Sequence, residues 1–172
     1  MKRITFAIVF ILALFVFVGC GSKGKLTGVK SIKKQEIFNQ KEDRYYVYFH
    51  RLDCPDCDAS APAIINYMDI LREYPGCEAK RPIYTVLLFT ESEKPGEATY
   101  IFRQYDGEDG DGTNETFKVK GVLEWQDLYI GSTSSLISIS TKDGVRSAKF
   151  EAQGAEDITA ILEEQLGDCY KK

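Results

Sequence analysis

A layered α/β domain is the fold class this sequence predicts. Three observations carry it. Two runs of β-formers, YYVYF at 45–49 and IYTVLLF at 83–89, stand on either side of a helix-forming stretch. Residues 136–140 and 147–152 read as two strands, and Lys142-Asp143-Gly144 between them gives a tight turn. The chain then closes on an amphipathic helix at 156–166.

Taken in order, residues 31–41 are polar with apolar points at Ile32, Ile37 and Phe38, and predict a short helix. The strand at 45–49 follows a charged stretch. After HRLDC, Pro55 suits the first turn of a helix, where its missing N–H costs nothing. That helix runs on with Ile64, Ile65, Met68 and Leu71 on one face. Pro62 inside it predicts a kink, and Pro75-Gly76 a stop. Residues 83–89 read as a buried strand. Residues 91–131 read as an insert with helical fragments around 98–104 and the loop DGEDGDGTN. In the last helix Ile158, Ile161, Leu162 and Leu166 form one stripe, and Gly167 ends it.

The chain has 172 residues, 44% hydrophobic and 28% charged, which suffices for one domain with a real core and excludes overall disorder. No internal repeat is present, so a solenoid is not expected. The formal net charge is −4 with no dense basic stripe, which argues against nucleic acid as a partner.

The first twenty residues, MKRITFAIVFILALFVFVGC, stand apart. Lys2 and Arg3 precede an apolar run of 15 residues at 4–18, broken only by Thr5. A membrane span needs about 20 apolar residues, so this run has the length of a signal-peptide core. Phe17-Val18-Gly19-Cys20 resembles the lipobox of bacterial lipoproteins, with Phe17 where that motif usually has Leu. The resemblance implies a signal peptide at 1–19, cleavage before Cys20, a lipid on the Cys20 thiol, and an extracytoplasmic domain anchored to the bacterial membrane. The competing reading is an uncleaved anchor or an ordinary secreted protein. Loss of Lys2 and Arg3 would take the formal charge to −6. Residues 20–31, the lipidated Cys20 followed by GSKGKLTGVKS, read as a flexible tether. The domain proper then covers 32–172. Lys23, Lys25 and Lys30 could meet anionic headgroups or simply be solvated.

The chemistry concentrates at Cys54-Pro55-Asp56-Cys57, a C-x-x-C that follows a strand and opens a helix. Unpaired N–H groups and the macrodipole at a helix N-terminus stabilise a thiolate, the nucleophile of thiol–disulfide exchange. Cys57, one turn on, can attack the resulting mixed disulfide. Structural zinc usually needs a second ligand pair. The chain has no second C-x-x-C, and His50 is its one histidine. The four cysteines other than Cys20 would lie where disulfides persist.

The segment YVYFHRLDCPDCDASAP resembles the active-site region of the thioredoxin superfamily, including Pro62, five residues after the second Cys. The fragment YVYFHRLDCPDC is also similar to thioredoxin-like proteins described as bacteriocin transport accessory proteins. The resemblance implies a thioredoxin-like fold over roughly 32–168, a central mixed sheet with helices on both faces. It implies that Cys54 attacks and Cys57 resolves. It implies protein thiols and disulfides as substrates, a membrane redox partner and no diffusible cofactor. Two family positions differ. The buried Asp six residues before the first Cys is Tyr48 here, and the cis-Pro facing the C-x-x-C is Ser134, after Thr133. A cis bond before a non-proline costs roughly 3 kcal/mol, so Thr133-Ser134 is expected to be trans. These departures leave open a second reading: a non-enzymatic thioredoxin-like accessory or binding lipoprotein whose C-x-x-C is a static disulfide or a metal-ligand pair, iron–sulfur included.

Local charges are mixed. Asp53, Asp56 and Asp58 disfavour a thiolate, whereas Arg51 and a protonated His50 favour one, and the balance points to a reductase. His50 reads either as a proton relay or as a partly exposed loop histidine. Cys77 and Cys169 follow the ends of two helices that run the same way in a thioredoxin fold, so both are expected at the pole away from Cys54. They are either a structural disulfide, contributing about 4–5 kcal/mol in the loop-entropy model, or two separate thiols. The acidic loop at 106–112 does not fit an EF-hand and reads as a surface loop rather than a calcium site. Trp125, with Leu123, Leu128, Tyr129 and Ile130, reads as core or groove edge.

Overall fold

The computed structural model describes residues 24–88 and 103–171. The leader, Cys20 and most of the helical fragment expected at 98–104 lie outside them. Arg103 and Gln104 are irregular backbone.

Five strands form one mixed sheet. They are β1 (Lys30–Ser31), β2 (Arg44–His50), β3 (Ile83–Leu87), β4 (Ser135–Lys142) and β5 (Val145–Gln153), in the spatial order β1-β3-β2-β4-β5. β1 and β2 both run parallel to β3, while β4 is antiparallel to β2 and to β5. The parallel β2–β3 pair needs a crossover. Helix α1 (Pro55–Glu73) supplies it, and α2 (Ala155–Leu166) closes the chain. The α/β expectation therefore holds.

Strand alternation sorts the core into two layers. Tyr46 and Tyr48 of β2 face the helices with Ile64, Tyr67, Leu71, Ile158, Leu162 and Leu166. Tyr45, Val47 and Phe49 face the other way, among Ile37, Val86, Ile137 and Ile139. The expectation of helices on both faces is corrected here. Among the described residues both α-helices lie on one face. The opposite face is covered by irregular chain and single turns, with Phe117, Val119, Val122, Leu128 and Ile130 fully or nearly fully buried there. The insert thus supplies five of the buried side chains of that layer.

The region at 31–41 holds only one 3-10 turn, Lys34–Glu36, where a short helix was expected. Ile32 and Ile37 are buried on either side of it, and two apolar anchors five residues apart do not make a helical stripe. Residues 24–31 differ from a flexible tether. Val29 is buried, Leu26 packs on the helix-side core, and Lys30 pairs with Tyr84. Their Gly, Ser and Lys content hides two apolar anchors. Helix α1 is assigned without a break through Pro62, whose ring is exposed.

Candidate functional site

Strand β2 delivers the site. It ends at His50, and three residues later Cys54 caps α1 in extended conformation, φ −125° and ψ 103°. Pro55 sits in the first turn, as its ring chemistry favours. Cys54 and Cys57 are joined as a disulfide with Cα atoms 5.2 Å apart. The Cys54 sulfur accepts the Cys57 N–H at 3.1 Å, so it occupies the position of a side-chain N-cap. The Thr133 hydroxyl lies 3.3 Å from the same sulfur. Both cysteines are nearly closed to solvent, at 3% and 4% exposure.

A floor of hydroxyls lies beneath the pair. The Ser60 hydroxyl is 2.6 Å from the Ser134 hydroxyl, and both donate to the Asp56 carbonyl, at 2.6 and 3.2 Å. The Tyr48 hydroxyl donates to the Cys57 carbonyl at 3.5 Å and also interacts with Ser134 and Ser60. Burial pushes the Tyr48 phenol above its ordinary range. None of the described Asp or Glu side chains is buried. At Ser134 the backbone has φ +56°, the left-handed region, and its peptide bond to Thr133 is trans. Its carbonyl accepts the Gly154 N–H at 2.8 Å, which ties the loop to the start of α2.

His50 is not a loop histidine. It is the last residue of β2, 3% exposed, with its ring stacked on Tyr48 at 5.5 Å. Its Nε2 has no hydrogen-bond partner. Burial lowers its pKa from 6.5 to about 4, so it is neutral at pH 7. The cationic help expected from a protonated His50 is therefore absent at neutral pH. Asp53, Asp56 and Asp58 are exposed around the pair, and Asp53 has φ +52°. Arg51 donates to the Leu52 and Asp53 carbonyls, which shapes the loop before Cys54.

The structure brings Cys54, Cys57, His50, Thr133 and Ser134 to one pole. Cys77 and Cys169 are elsewhere, joined as a disulfide across 92 residues with Cα atoms 5.2 Å apart. Cys77 follows α1 and Cys169 follows α2, at the ends away from Cys54. Ser60 was not foreseen as part of the site. Its position three residues after Cys57, and four before buried Ile64, was the available signal, since those offsets share a helix face.

The acidic loop contributes no cation site. Among the described residues, no group of three or more His, Cys, Asp or Glu side chains could hold a metal ion. Asp111 instead accepts the Val119 and Lys120 N–H groups at 2.8 and 2.5 Å, capping the turn that begins at Val119. Trp125 packs partly buried against the second core layer under the Lys34 ammonium, 4.8 Å away. No helix among the described residues is long and apolar enough to cross a membrane. Comparison with protein-family models, with curated proteins and with solved structures found no match.

Proposed function

We propose that this chain is a lipid-anchored, extracytoplasmic thiol–disulfide oxidoreductase of thioredoxin-like architecture. The observation that carries the reading is Cys54 as the N-cap of a 19-residue helix, its sulfur receiving the Cys57 N–H and facing the Thr133 hydroxyl. These neutral donors, with the helix dipole, favour the Cys54 thiolate once the disulfide is reduced. The strand order β1-β3-β2-β4-β5 and the C-x-x-C at the β2–α1 junction support the architecture.

In this reading the Cys54 thiolate attacks a disulfide of a protein substrate. One substrate sulfur leaves as a thiolate and takes up a proton, and the other stays bonded to Cys54. Cys57 then loses its proton and attacks Cys54. The substrate departs as a dithiol and Cys54–Cys57 is a disulfide again. The protein is returned to its dithiol by a membrane-bound partner. The hydroxyls of Tyr48, Ser60 and Ser134 hold the Asp56–Cys57 turn in place.

A redox titration of the purified chain, read by alkylation and mass spectrometry, tests the reading. The pair should interconvert at a potential within about −120 to −270 mV. A Cys57→Ser variant should trap mixed disulfides through Cys54 in cells. The near-complete burial of both cysteines and the absence of a buried carboxylate among the described residues favour a second reading, a binding lipoprotein with a static disulfide. A pair that stays oxidised below about −300 mV, and a Cys57→Ser variant that captures nothing, would select it.

A further inference from the structure

The start of the described chain sits at the same pole as the C-x-x-C. Gly24 has φ +81°, and a Cβ built on it would lie 2.9 Å from the Leu52 side chain and 3.2 Å from both Leu87 methyls. Leu52 is two residues before Cys54, and Leu87 ends β3. The chain then runs along the edge of the domain. Gly28 lies against the Arg72 guanidinium, near the far end of α1. Residues 24–28 therefore span the domain from the redox pole toward the opposite one before β1 turns back.

Only Gly21, Ser22 and Lys23 separate Gly24 from Cys20. Fully extended, that stretch reaches about 14 Å. Helix α1 has 19 residues and is about 28 Å long, with Cys54 at one end. The β4–β5 turn lies at the far pole, because Ser135 pairs with Phe49 at the redox end and Lys142 with Val145 at the other. A tether of about 14 Å fixed at the redox pole cannot bring that turn to the bilayer and carry the C-x-x-C away from it.

We propose that the C-x-x-C pole faces the membrane, so that the membrane-bound partner of the reading above meets Cys54–Cys57 with its cysteine pair at the bilayer surface. The inference rests on the oxidoreductase and lipid-anchor readings above. The exposed Asp53, Asp56 and Asp58 select a partner segment with basic residues beside its cysteines. One partner thiolate attacks Cys54, forming a mixed disulfide and releasing Cys57 as a thiolate that takes up a proton. The second partner thiol loses its proton and attacks the first partner sulfur, and Cys54 departs as a thiolate. Two electrons pass from the partner dithiol, which becomes a disulfide, to Cys54–Cys57, which becomes a dithiol.

Two measurements on the full lipidated chain test it. A donor fluorophore is attached through an unnatural residue at Asp58 or at Val145, both exposed and at opposite poles. The chain is reconstituted in phosphatidylethanolamine–phosphatidylglycerol vesicles carrying a headgroup acceptor. Energy transfer should be several-fold greater from position 58. Equal transfer, greater transfer from 145, or an unlipidated Cys20 by mass spectrometry overturns the orientation. In the second, 20 Gly/Ser residues are inserted between Ser22 and Lys23, adding a reach of about 25 Å. The oxidised fraction of Cys54–Cys57 in cells, read by alkylation, should rise several-fold, while exchange by the purified protein is unchanged. An unaltered fraction means that soluble thiols serve the pair and overturns the partner. Failure of the purified native chain to exchange disulfides refutes the oxidoreductase reading and with it the partner, whereas the energy-transfer ranking decides the orientation by itself.

Discussion

Acidification should destabilise this protein through one residue. His50 is the only histidine in the chain, so its titration can be followed without ambiguity. Burial holds its folded-state pKa at about 4, against about 6.5 in the unfolded chain. The unfolded chain therefore takes up this proton first as pH falls. The stability that neutral His50 contributes is complete above about pH 6.5 and is lost progressively toward pH 4. A gap of that size corresponds to about 3 kcal/mol in total, of which about 2 kcal/mol is gone by pH 5.

The assay is urea unfolding at pH 7 and pH 5, for the wild type and for His50→Phe. Phenylalanine keeps a ring against Tyr48 and cannot titrate. The wild type should lose about 2 kcal/mol more than the variant over this interval, or roughly 8 °C in Tm. Carboxylates common to both proteins cancel in the difference. Imidazole NMR signals should place the midpoint well below 5. Equal losses in the two proteins, or a midpoint near 6.5, would refute a buried neutral His50.

Other predictions concern the cysteines and the hydroxyls around them. Replacing Cys77 and Cys169 together by Ala should cost about 4–5 kcal/mol by urea unfolding and leave the Cys54–Cys57 potential unchanged, because the bond lies at the opposite pole. Thr133→Val keeps the shape and removes the hydroxyl beside the Cys54 sulfur. It should slow alkylation of reduced Cys54 by iodoacetamide at pH 7 several-fold, because the thiolate loses a hydrogen-bond donor, with folding intact by circular dichroism. Ser60→Ala removes one of the two hydroxyls that donate to the Asp56 carbonyl and should destabilise the fold by about 1 kcal/mol by urea unfolding, the net worth of one hydrogen bond, because Ser134 still donates there.

Much of the architecture was legible because it is written in short-range signals. The run of β-formers in β2, the Asp143-Gly144 turn and the stripe Ile158-Leu162-Leu166 are local patterns, and the strands and helices stand within a few residues of where those patterns put them. The part of the core made by residues 103–131 was not legible. Phe117, Val119, Val122, Leu128 and Ile130 follow neither a helical nor an alternating period, and irregular chain that buries side chains has no periodicity to read. Lys30-Ser31 is too short for a strand signal and depends on β3 for its pairing. His50 was misplaced for a related reason. The run YYVYF reads as complete without it, yet β2 continues one residue further to pair with Leu87. Composition alone cannot say that the next residue is still strand. Ser60 and Ser134 lie 74 residues apart, so their contact is a property of the fold alone.

The chemistry around Cys54 is built from groups that keep their charge state across the working range. No carboxylate is buried among the described residues, and His50 is already neutral at pH 7. What meets the Cys54 sulfur is an amide N–H and a threonine hydroxyl, and what lies beneath Cys57 is a tyrosine and two serines. A phenol pushed above its ordinary range cannot receive the Cys57 proton near neutrality. The hydroxyl floor therefore positions the turn without storing a proton, and the proton lost by Cys57 must leave toward solvent or the exchange partner. It follows that between about pH 6 and pH 9 only the cysteines themselves should shape the pH profile of exchange, with no additional inflection from a neighbouring acid. An acidic inflection in kcat/KM that persists in His50→Phe would mean that a carboxylate reaches the site when substrate binds. Asp53, Asp56 and Asp58, exposed at the rim, are the groups placed to do so.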